Sequence, residues 1–189
     1  EIKPPLVLMG GFARQLEKEP GLSSKGARKL DIIITEVKRL ESILNEIGDL
    51  SRPQQYNWGE VDLCELAKSL LELMSPNIHK GKDRLTIICG KNIPKVMGDS
   101  DRLRQVLINL VTNALQASQE RAMIELEVGL GAPGEVLLTV SDCGCGIPDE
   151  QLRDIFTPFF TTKKHGTGLG LPVARRIVNE HGGKIKVDS

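Results

Sequence analysis

The sequence predicts an α+β protein in which a helical hairpin precedes a sandwich of helices and strands. Residues 1–52 place apolar side chains at helical spacing, whereas the chain from residue 60 alternates helix-like and strand-like patterns. Between them, residues 53–59 form a polar segment bounded by Pro53 and Gly59, which predicts a linker. We therefore divide the 189 residues into a hairpin (1–52), a linker (53–59) and an α+β domain (60–189).

Composition excludes several classes of function. A formal net charge of zero and 3% aromatic residues argue against a nucleic-acid binder. No run of about 18 apolar residues occurs, so we expect no membrane contact by this part of the protein. The four cysteines fit free thiols in a reducing cytoplasm, and the chain can be the cytoplasmic part of a larger, membrane-anchored protein. Cys143 and Cys145 are too close for a zinc knuckle, and a redox role for them stays open.

The first 52 residues predict two helices. The first runs to about Glu19, where Pro20-Gly21 ends it, and Ser23-Ser24 can cap the second. Apolar residues of the second helix alternate at spacings of three and four, which is typical of a helix-packing seam: Leu30, Ile33, Val37, Leu40, Leu44 and Ile47. A hairpin this short cannot bury two seams alone, so we expect a homodimer with a four-helix bundle. The alternative is that the hairpin packs on the rest of its own chain.

The elements of the α+β domain follow from periodicity and turn residues. Hairpins are expected to join most of the strands. The predicted helices span 62–74, 100–118 and 168–180, and the predicted strands span 84–89, 94–97, 122–130, 135–141 and 184–188.

Two asparagines on the second of these helices are candidates for metal binding. Asn109 and Asn113 are four residues apart and therefore share one helix face, and Gln116 lies one turn further. Amide oxygens suit magnesium, which also takes oxygens from phosphates and water. A structural role for two buried amides is the alternative.

Two glycine-rich blocks complete a predicted nucleotide site. Asp142 ends a strand before Gly144 and Gly146, and its carboxylate can accept a hydrogen bond from an exocyclic amine such as that of adenine. The run 166–170 opens a helix, whose N-terminal amides favour phosphate. The preceding segment, 156–164, carries hydroxyls and lysines that suit a lid over a triphosphate.

The order of these blocks, followed by Ile177-Val-x-x-His181-Gly-Gly, resembles the bacterial sensor histidine kinases of two-component systems. The resemblance covers nearly the whole chain. It implies a dimerisation and histidine-phosphotransfer hairpin over 1–52. From about residue 60 it implies a catalytic ATP-binding domain of the histidine-kinase, topoisomerase and chaperone type. ATP and Mg²⁺ would be the cofactors, and a response-regulator aspartate would receive the phosphoryl group.

The resemblance also implies residue roles. Asn113 would bind magnesium, Asn109 would act near the phosphates as a catalytic residue, and Asp142 would contact adenine. The phosphoacceptor histidine would fall just before Glu1, with Glu1 as its acidic catalytic partner, and Pro4 makes phosphatase activity unexpected. The remaining implied nucleotide contacts are Gly144, Gly146, Ile147, Thr162, Lys163, Gly166, Thr167, Gly168, Leu169 and Gly170. None of the histidines present, His79, His165 and His181, is expected to be the acceptor, and His181 is expected to be structural.

Two other functions compete with the kinase. One is an ATPase of the related topoisomerase, mismatch-repair and chaperone families, whose hydrolysing members usually place a glutamate base where this chain has Asn109. An amide cannot take a proton from water, so rapid hydrolysis is not expected. The other is a nucleotide-binding scaffold with a vestigial site, against which the complete set of blocks argues.

Overall fold

The computed structural model describes residues 3–17, 19, 22–51, 55–78, 84–118, 122–163 and 166–189. Contacts within the chain divide it into two compact units, Glu1–Pro53 and Gln54–Ser189, each of which is described by itself. Across these described ranges, no helix is both long enough and apolar enough to cross a membrane.

Where the structure describes the first unit, it forms two packed helices, α1 (Lys3–Glu17) and α2 (Ser24–Ser51). The helices approach closely at Gly10, where a β-carbon would lie only 3.1 Å from Val37 Cγ1. A larger side chain there would force the helices apart. The side chains buried in this contact are Leu6, Ala13, Ile34 and Val37.

A second apolar surface of this unit stays exposed. Met9 and Phe12 on α1 are 54% and 62% exposed, and Ile33 and Leu40 on α2 are 44% and 39% exposed. The predicted seam of α2 is therefore only partly buried within one chain, since Val37 packs inward while Ile33 and Leu40 do not. Two helices provide too little apolar surface to cover both faces.

The described residues of the second unit form five strands and four helices. The strands are β1 (Gly59–Val61), β2 (Arg84–Cys89), β3 (Val96–Gly98), β4 (Met123–Leu130) and β5 (Val136–Asp142). The helices are α3 (Leu63–Ile78), α4 (Ser100–Ala117), α5 (Asp149–Leu152) and α6 (Gly170–Glu180). β1 pairs antiparallel with β3, and the larger sheet has the order β2–β4–β5.

The core of the second unit lies between the larger sheet and the helices α3 and α4. On β4, Ile124, Leu126 and Val128 are at most 2% exposed, whereas Glu125 and Glu127 alternate with them on the solvent side. The helix residues that complete this core include Leu66, Leu70, Leu107 and Val111. The predicted α+β class is confirmed.

Some predicted details of this unit are wrong. The pattern predicts hairpins between most strands, yet β2 and β4 run parallel, with β3 and α4 between them in the chain. Residues 184–188, all within the described part of the chain, are predicted as a strand but pair with no strand there. Ile185 and Val187 are half-buried between exposed neighbours, so their alternation reflects one-sided packing without a hydrogen-bonded ladder. β1 and α5, of three and four residues, were not predicted.

A buried carboxylate joins the start of α4 to the segment before β1. Asp99 accepts hydrogen bonds from the backbone N–H groups of Asn57, Asp101 and Arg102 at 2.7, 3.0 and 3.1 Å. Its own N–H donates to His181 Nε2 at 3.0 Å. Burial tends to raise the pKa of Asp99, but the three N–H donors and the charge of Arg102 outweigh it and lower the pKa below the ordinary 3.8.

His181 links the end of α6 to the same segment. Since Nε2 accepts the Asp99 N–H, Nδ1 carries the proton and donates it to Ile177 O at 2.8 Å. The rings of Tyr56 and Trp58 pack against the imidazole, with centroids 5.3 and 4.8 Å away. This part of the predicted linker is thus anchored to the second unit, and the contacts of His181 are those of a structural residue.

We expect Asp99→Ala to destabilise the second unit by about 2 kcal/mol, because three backbone N–H groups lose their acceptor. Asp99→Asn should have a smaller effect, since an amide oxygen can still cap α4. The lowered folded-state pKa means that this stabilisation is present above pH 3.8 and is lost as the pH falls through the folded pKa. Urea unfolding followed by circular dichroism, at neutral pH and in acid, measures both effects. Equal stability of the wild type and Asp99→Ala at neutral pH would contradict the prediction.

Candidate functional site

The two predicted asparagines lie on one half-buried face of α4. Asn109 Nδ2 donates to Gly170 O at 3.0 Å, which ties this face to the first residue of α6. A β-carbon on Gly170 would point toward the face, 3.8 Å from both Asn109 Cγ and Asn113 Nδ2. Two amide groups therefore stand beside the N-terminus of α6, where backbone N–H groups carry partial positive charge.

Lys163 reaches the same face from a segment 50 residues further along the chain. Its Nζ donates to Asn113 Oδ1 at 3.0 Å and to Gln116 Oε1 at 2.8 Å. Partial burial lowers the pKa of Lys163, while Cys145 and the Asp142 carboxylate act in the opposite direction. Two neutral amide oxygens of α4 therefore already hold a cation.

The loop after β5 packs against the carboxyl end of α4. Asp142 Oδ1 accepts the Gly144 N–H at 2.8 Å, and the Cys145 N–H donates to Ala117 O at 3.4 Å. A β-carbon on Gly144 would lie 2.7 Å from Ala117 Cβ, so a side chain there would push the loop away. Gly146 has a φ of +72°, which favours glycine. These contacts hold the exposed Asp142 near the end of α4 that binds the lysine.

A tight turn leads from the predicted lid into α6. Gly168 has a φ of +68°, and a β-carbon on it would lie 2.5 Å from the Phe159 carbonyl carbon and 2.6 Å from Phe160 O. Gly168 O accepts the Phe159 N–H at 3.0 Å. Leu169 is fully buried, and its N–H donates to Thr167 Oγ1 at 3.3 Å. The lid segment is therefore joined to α6 through backbone that has no room for a side chain.

The predicted site residues fall into three neighbouring groups. Asn109 and Asn113 lie on α4, and Gly170 begins α6. The loop that begins at the end of β5 contains Asp142, Gly144, Gly146 and Ile147. The segment before α6 contains Thr162, Lys163, Gly166, Thr167, Gly168 and Leu169. Glu1, together with Lys164 and His165 of the lid, lies outside the described residues.

Two features of this region were not predicted. Asp99 stands directly before a helix, which is a recognisable N-cap pattern, so its role at α4 was open to prediction. The contact between Lys163 and Asn113 has no local pattern, because 50 residues separate the partners and tertiary structure alone brings them together.

The second half of the chain matches a known family model. Residues 98–189 match the family described as histidine kinase-, DNA gyrase B- and HSP90-like ATPase. This range contains α4, the loop after β5 and α6, and thus every predicted nucleotide contact.

Similar proteins extend the likeness to the hairpin. The sensor histidine kinase ZraS of Salmonella typhimurium is 34% identical over 189 residues, which are all of this chain and 41% of that protein. The chain thus spans about two fifths of the length of the curated ZraS relatives that it matches. The structure of full-length ShkA in complex with AMPPNP has a TM-score of 0.82 at 26% identity, covering 96% of this chain and 39% of that one. The structure of the histidine kinase ThkA in complex with the response regulator TrrA has a TM-score of 0.72 at 32% identity, covering 96% and 52%. With its match to this ATPase family model and its likeness to sensor histidine kinases over the length of the chain, this chain belongs to the bacterial sensor histidine kinases and comprises a catalytic core of that family.

Proposed function

We propose that this chain is the core of an ATP-dependent protein-histidine kinase that autophosphorylates a histidine preceding Glu1 and passes the phosphoryl group to a response-regulator aspartate. The observation that carries the proposal is the convergence of Asn113 and Gln116 oxygens on one cation beside Asp142 and the N-terminus of α6. A nucleotide needs these three features together: a metal position, a base acceptor and a phosphate-binding helix end.

Each of the three groups of residues is proposed to contact a different part of the nucleotide. The Asp142 carboxylate accepts a hydrogen bond from the adenine amine, and Gly144, Gly146 and Ile147 allow the backbone to approach the base. The N-terminal amides of α6, which begins at Gly170, and the preceding Gly166 and Gly168 bind phosphate oxygens. Thr162, Lys163 and Thr167 contribute hydroxyl and ammonium donors, and the buried Leu169 anchors the turn.

The residues present fit a magnesium ion. Asn113 Oδ1 and Gln116 Oε1 are neutral oxygen donors of the kind magnesium takes, and the Lys163 ammonium is a stand-in cation at that position. Asn113 would hold the ion. When bound, magnesium would neutralise phosphate charge and orient the terminal phosphoryl group.

Asn109 favours phosphoryl transfer over hydrolysis. Its amide already donates to Gly170 O, so it positions the start of α6 relative to α4. An amide has no basic group with which to activate water. The domain therefore binds and orients the nucleotide while the acceptor histidine, rather than water, attacks the phosphoryl group. This distinguishes a kinase from the related ATPases.

The proposal extends to two protein partners. The exposed Met9, Phe12, Ile33 and Leu40 fit a second copy of the hairpin, which would complete a four-helix bundle. The response regulator is supported by the relative ThkA, whose structure was determined in complex with the response regulator TrrA. This core is proposed to work in the cytoplasm.

Calorimetric titration with the ATP analogue AMPPNP, with and without magnesium, tests the proposed site. We expect binding of one nucleotide per chain, weakened at least roughly tenfold by Asp142→Ala, which removes a charged acceptor. Asp149→Ala, which changes an exposed carboxylate on α5, is the matched control and should bind as the wild type does. Acid-labile phosphate on a longer protein that contains the preceding histidine tests the transfer. Steady ATP hydrolysis without a phosphoprotein would favour the ATPase alternative, and no nucleotide binding would contradict both.

A further inference from the structure

Helix α6 is fixed to α4 at both of its ends. At its start, Gly170 O accepts a hydrogen bond from Asn109 Nδ2 at 3.0 Å. At its end, the capping residue His181 accepts the backbone N–H of Asp99, the cap of α4, at 3.0 Å. The helix between these contacts has 11 residues, which corresponds to a length of roughly 16 Å, and it moves as one rigid element. A shift at His181 therefore changes the position of the N-terminus that is proposed to bind phosphate.

The residues that hold the end of α6 belong to the predicted linker. We call residues 56–58 the linker anchor. The rings of Tyr56 and Trp58 pack against the His181 imidazole, with centroids 5.3 and 4.8 Å away. The Tyr56 hydroxyl also donates a hydrogen bond to the Glu180 carboxylate. The side chains of the anchor thus contact the last turn of α6.

The contact between Tyr56 and Glu180 is held in one protonation state. Burial, and then the hydrogen bond to Glu180, raise the pKa of Tyr56 to about 12, so the hydroxyl keeps its proton at neutral pH. Burial tends to raise the pKa of Glu180, but donation by Tyr56 and Arg176 outweighs it and lowers the pKa. Arg176 Nε donates to the same carboxylate at 2.9 Å. The ionised Glu180 therefore joins a linker residue to a residue one turn earlier in α6.

The linker anchor lies where the second unit begins. The two units divide between Pro53 and Gln54, so Tyr56 is the third residue of the second unit. Trp58 is 49% exposed, and the buried core of the unit contains neither aromatic ring of the anchor. A displacement of the linker would therefore act on the end of α6 before it acts on the core.

We propose that the linker anchor positions α6 for nucleotide binding, so that attachment of the linker to His181 and binding of phosphate at the start of α6 favour each other. The inference rests on the proposed function of that site. Tyr56 and Trp58 are positioning residues that act through the last turn of α6. Because coupling between two sites is reciprocal, release of the linker lowers nucleotide affinity, and bound nucleotide holds the linker in place. Nucleotide affinity thereby depends on the state of the linker.

Hydrogen exchange measured by NMR tests whether nucleotide holds the linker. The Asn57 N–H donates to Asp99 Oδ2 at 2.7 Å, so it exchanges when the anchor opens. Saturating AMPPNP with magnesium should slow this exchange at least roughly fivefold, the lower end of typical coupling between sites. The control is the Glu135 N–H, which donates to Ala132 O at 2.8 Å between β4 and β5 and should exchange at the same rate with and without nucleotide. Unchanged exchange at Asn57 while nucleotide is bound would overturn the inference.

Variants of the anchor test whether the linker controls nucleotide affinity. Tyr56→Phe removes the hydroxyl that donates to Glu180 and keeps the ring, whereas Trp58→Ala removes a ring that packs on His181. Calorimetry should show that each substitution weakens AMPPNP binding roughly threefold to tenfold, because part of the contact energy reaches the nucleotide site. Trp58→Phe, which restores an aromatic ring, should regain much of the lost affinity. Circular dichroism checks that each variant is folded.

Val128→Ala separates positioning from general destabilisation. Val128 is fully buried on β4, so this variant should lose stability but bind AMPPNP as the wild type does. A loss of affinity equal to that of Tyr56→Phe would overturn the inference, and so would wild-type affinity in both Tyr56→Phe and Trp58→Ala. In these cases the inference alone fails, since nucleotide still binds. If the wild-type protein binds no nucleotide, the proposed function itself fails.

Discussion

Replacing Asn113 by alanine is expected to remove most of the magnesium-dependent affinity for nucleotide. The substitution deletes the amide oxygen that now holds Lys163 Nζ at 3.0 Å and that is proposed to hold the metal. Loss of one charge-assisted contact corresponds to about a tenfold to hundredfold weaker affinity. Without magnesium the variant and the wild type should differ much less, because the deleted oxygen then has no divalent cation to bind.

Calorimetric titration at matched salt, with and without magnesium, measures this difference. Asn179→Ala is the matched control, since it makes the same chemical change at an exposed position of α6 away from the asparagine face. Thermal unfolding of both variants should stay close to the wild type. Asn113→Ala with unchanged magnesium-dependent affinity would refute the assignment of Asn113, even if the nucleotide still binds.

Gly168→Ala should disrupt the turn between the lid segment and α6. The alanine would have to adopt a φ of +68°, which costs roughly 1–3 kcal/mol. Its β-carbon would also lie 2.5 Å from the Phe159 carbonyl carbon, a backbone atom that cannot rotate away. Both effects act on the turn that positions the N-terminus of α6, so nucleotide affinity should fall together with stability.

Gly134→Ala isolates the steric part of this effect. Gly134 also has a positive φ, +84°, but nothing lies within 4 Å of the position of its β-carbon. The control therefore shares the backbone strain of Gly168→Ala without the clash, and it lies in the hairpin between β4 and β5. The free energies of unfolding of the two variants, measured by urea titration, should differ by more than about 1 kcal/mol, which is roughly the cost of overpacking. Equal destabilisation would show that the contact with Phe159 is unimportant.

Element boundaries and helix caps were predicted from local sequence patterns. Strand β2 has the predicted bounds, Arg84–Cys89, and α4 differs from its prediction by one residue at its end. Ser23 caps α2 as expected, with Oγ accepting the Gly26 N–H at 3.1 Å. In each case, the signal is the alternation of side chains or the chemistry of a cap, and it depends only on residues that are adjacent in the sequence.

Pairing between distant segments was not predictable in the same way. The parallel register of β2 and β4 depends on a crossover through α4, and nothing in the strands themselves encodes the direction of their partner. The same holds for the site: its blocks are visible in the sequence, but the meeting of Lys163 with Asn113 requires the folded lid segment. The alternation at Ile185 and Val187 led to the wrong prediction of a strand at 184–188, because burial on one side of a segment does not require a paired strand.

The hydrogen bond from Lys163 to the Asn113 oxygen affects how a metal ion would bind there. If magnesium takes that oxygen, its entry is an exchange of one cation for another, and the affinity measured in solution is reduced by the fraction of time for which Lys163 is bound. The displaced ammonium would stay attached to the lid segment, and it would then be available to bind the phosphates of the incoming nucleotide. Ligand binding and the position of the lid segment would then be thermodynamically linked, because the Lys163 ammonium competes with the metal ion for the same oxygen.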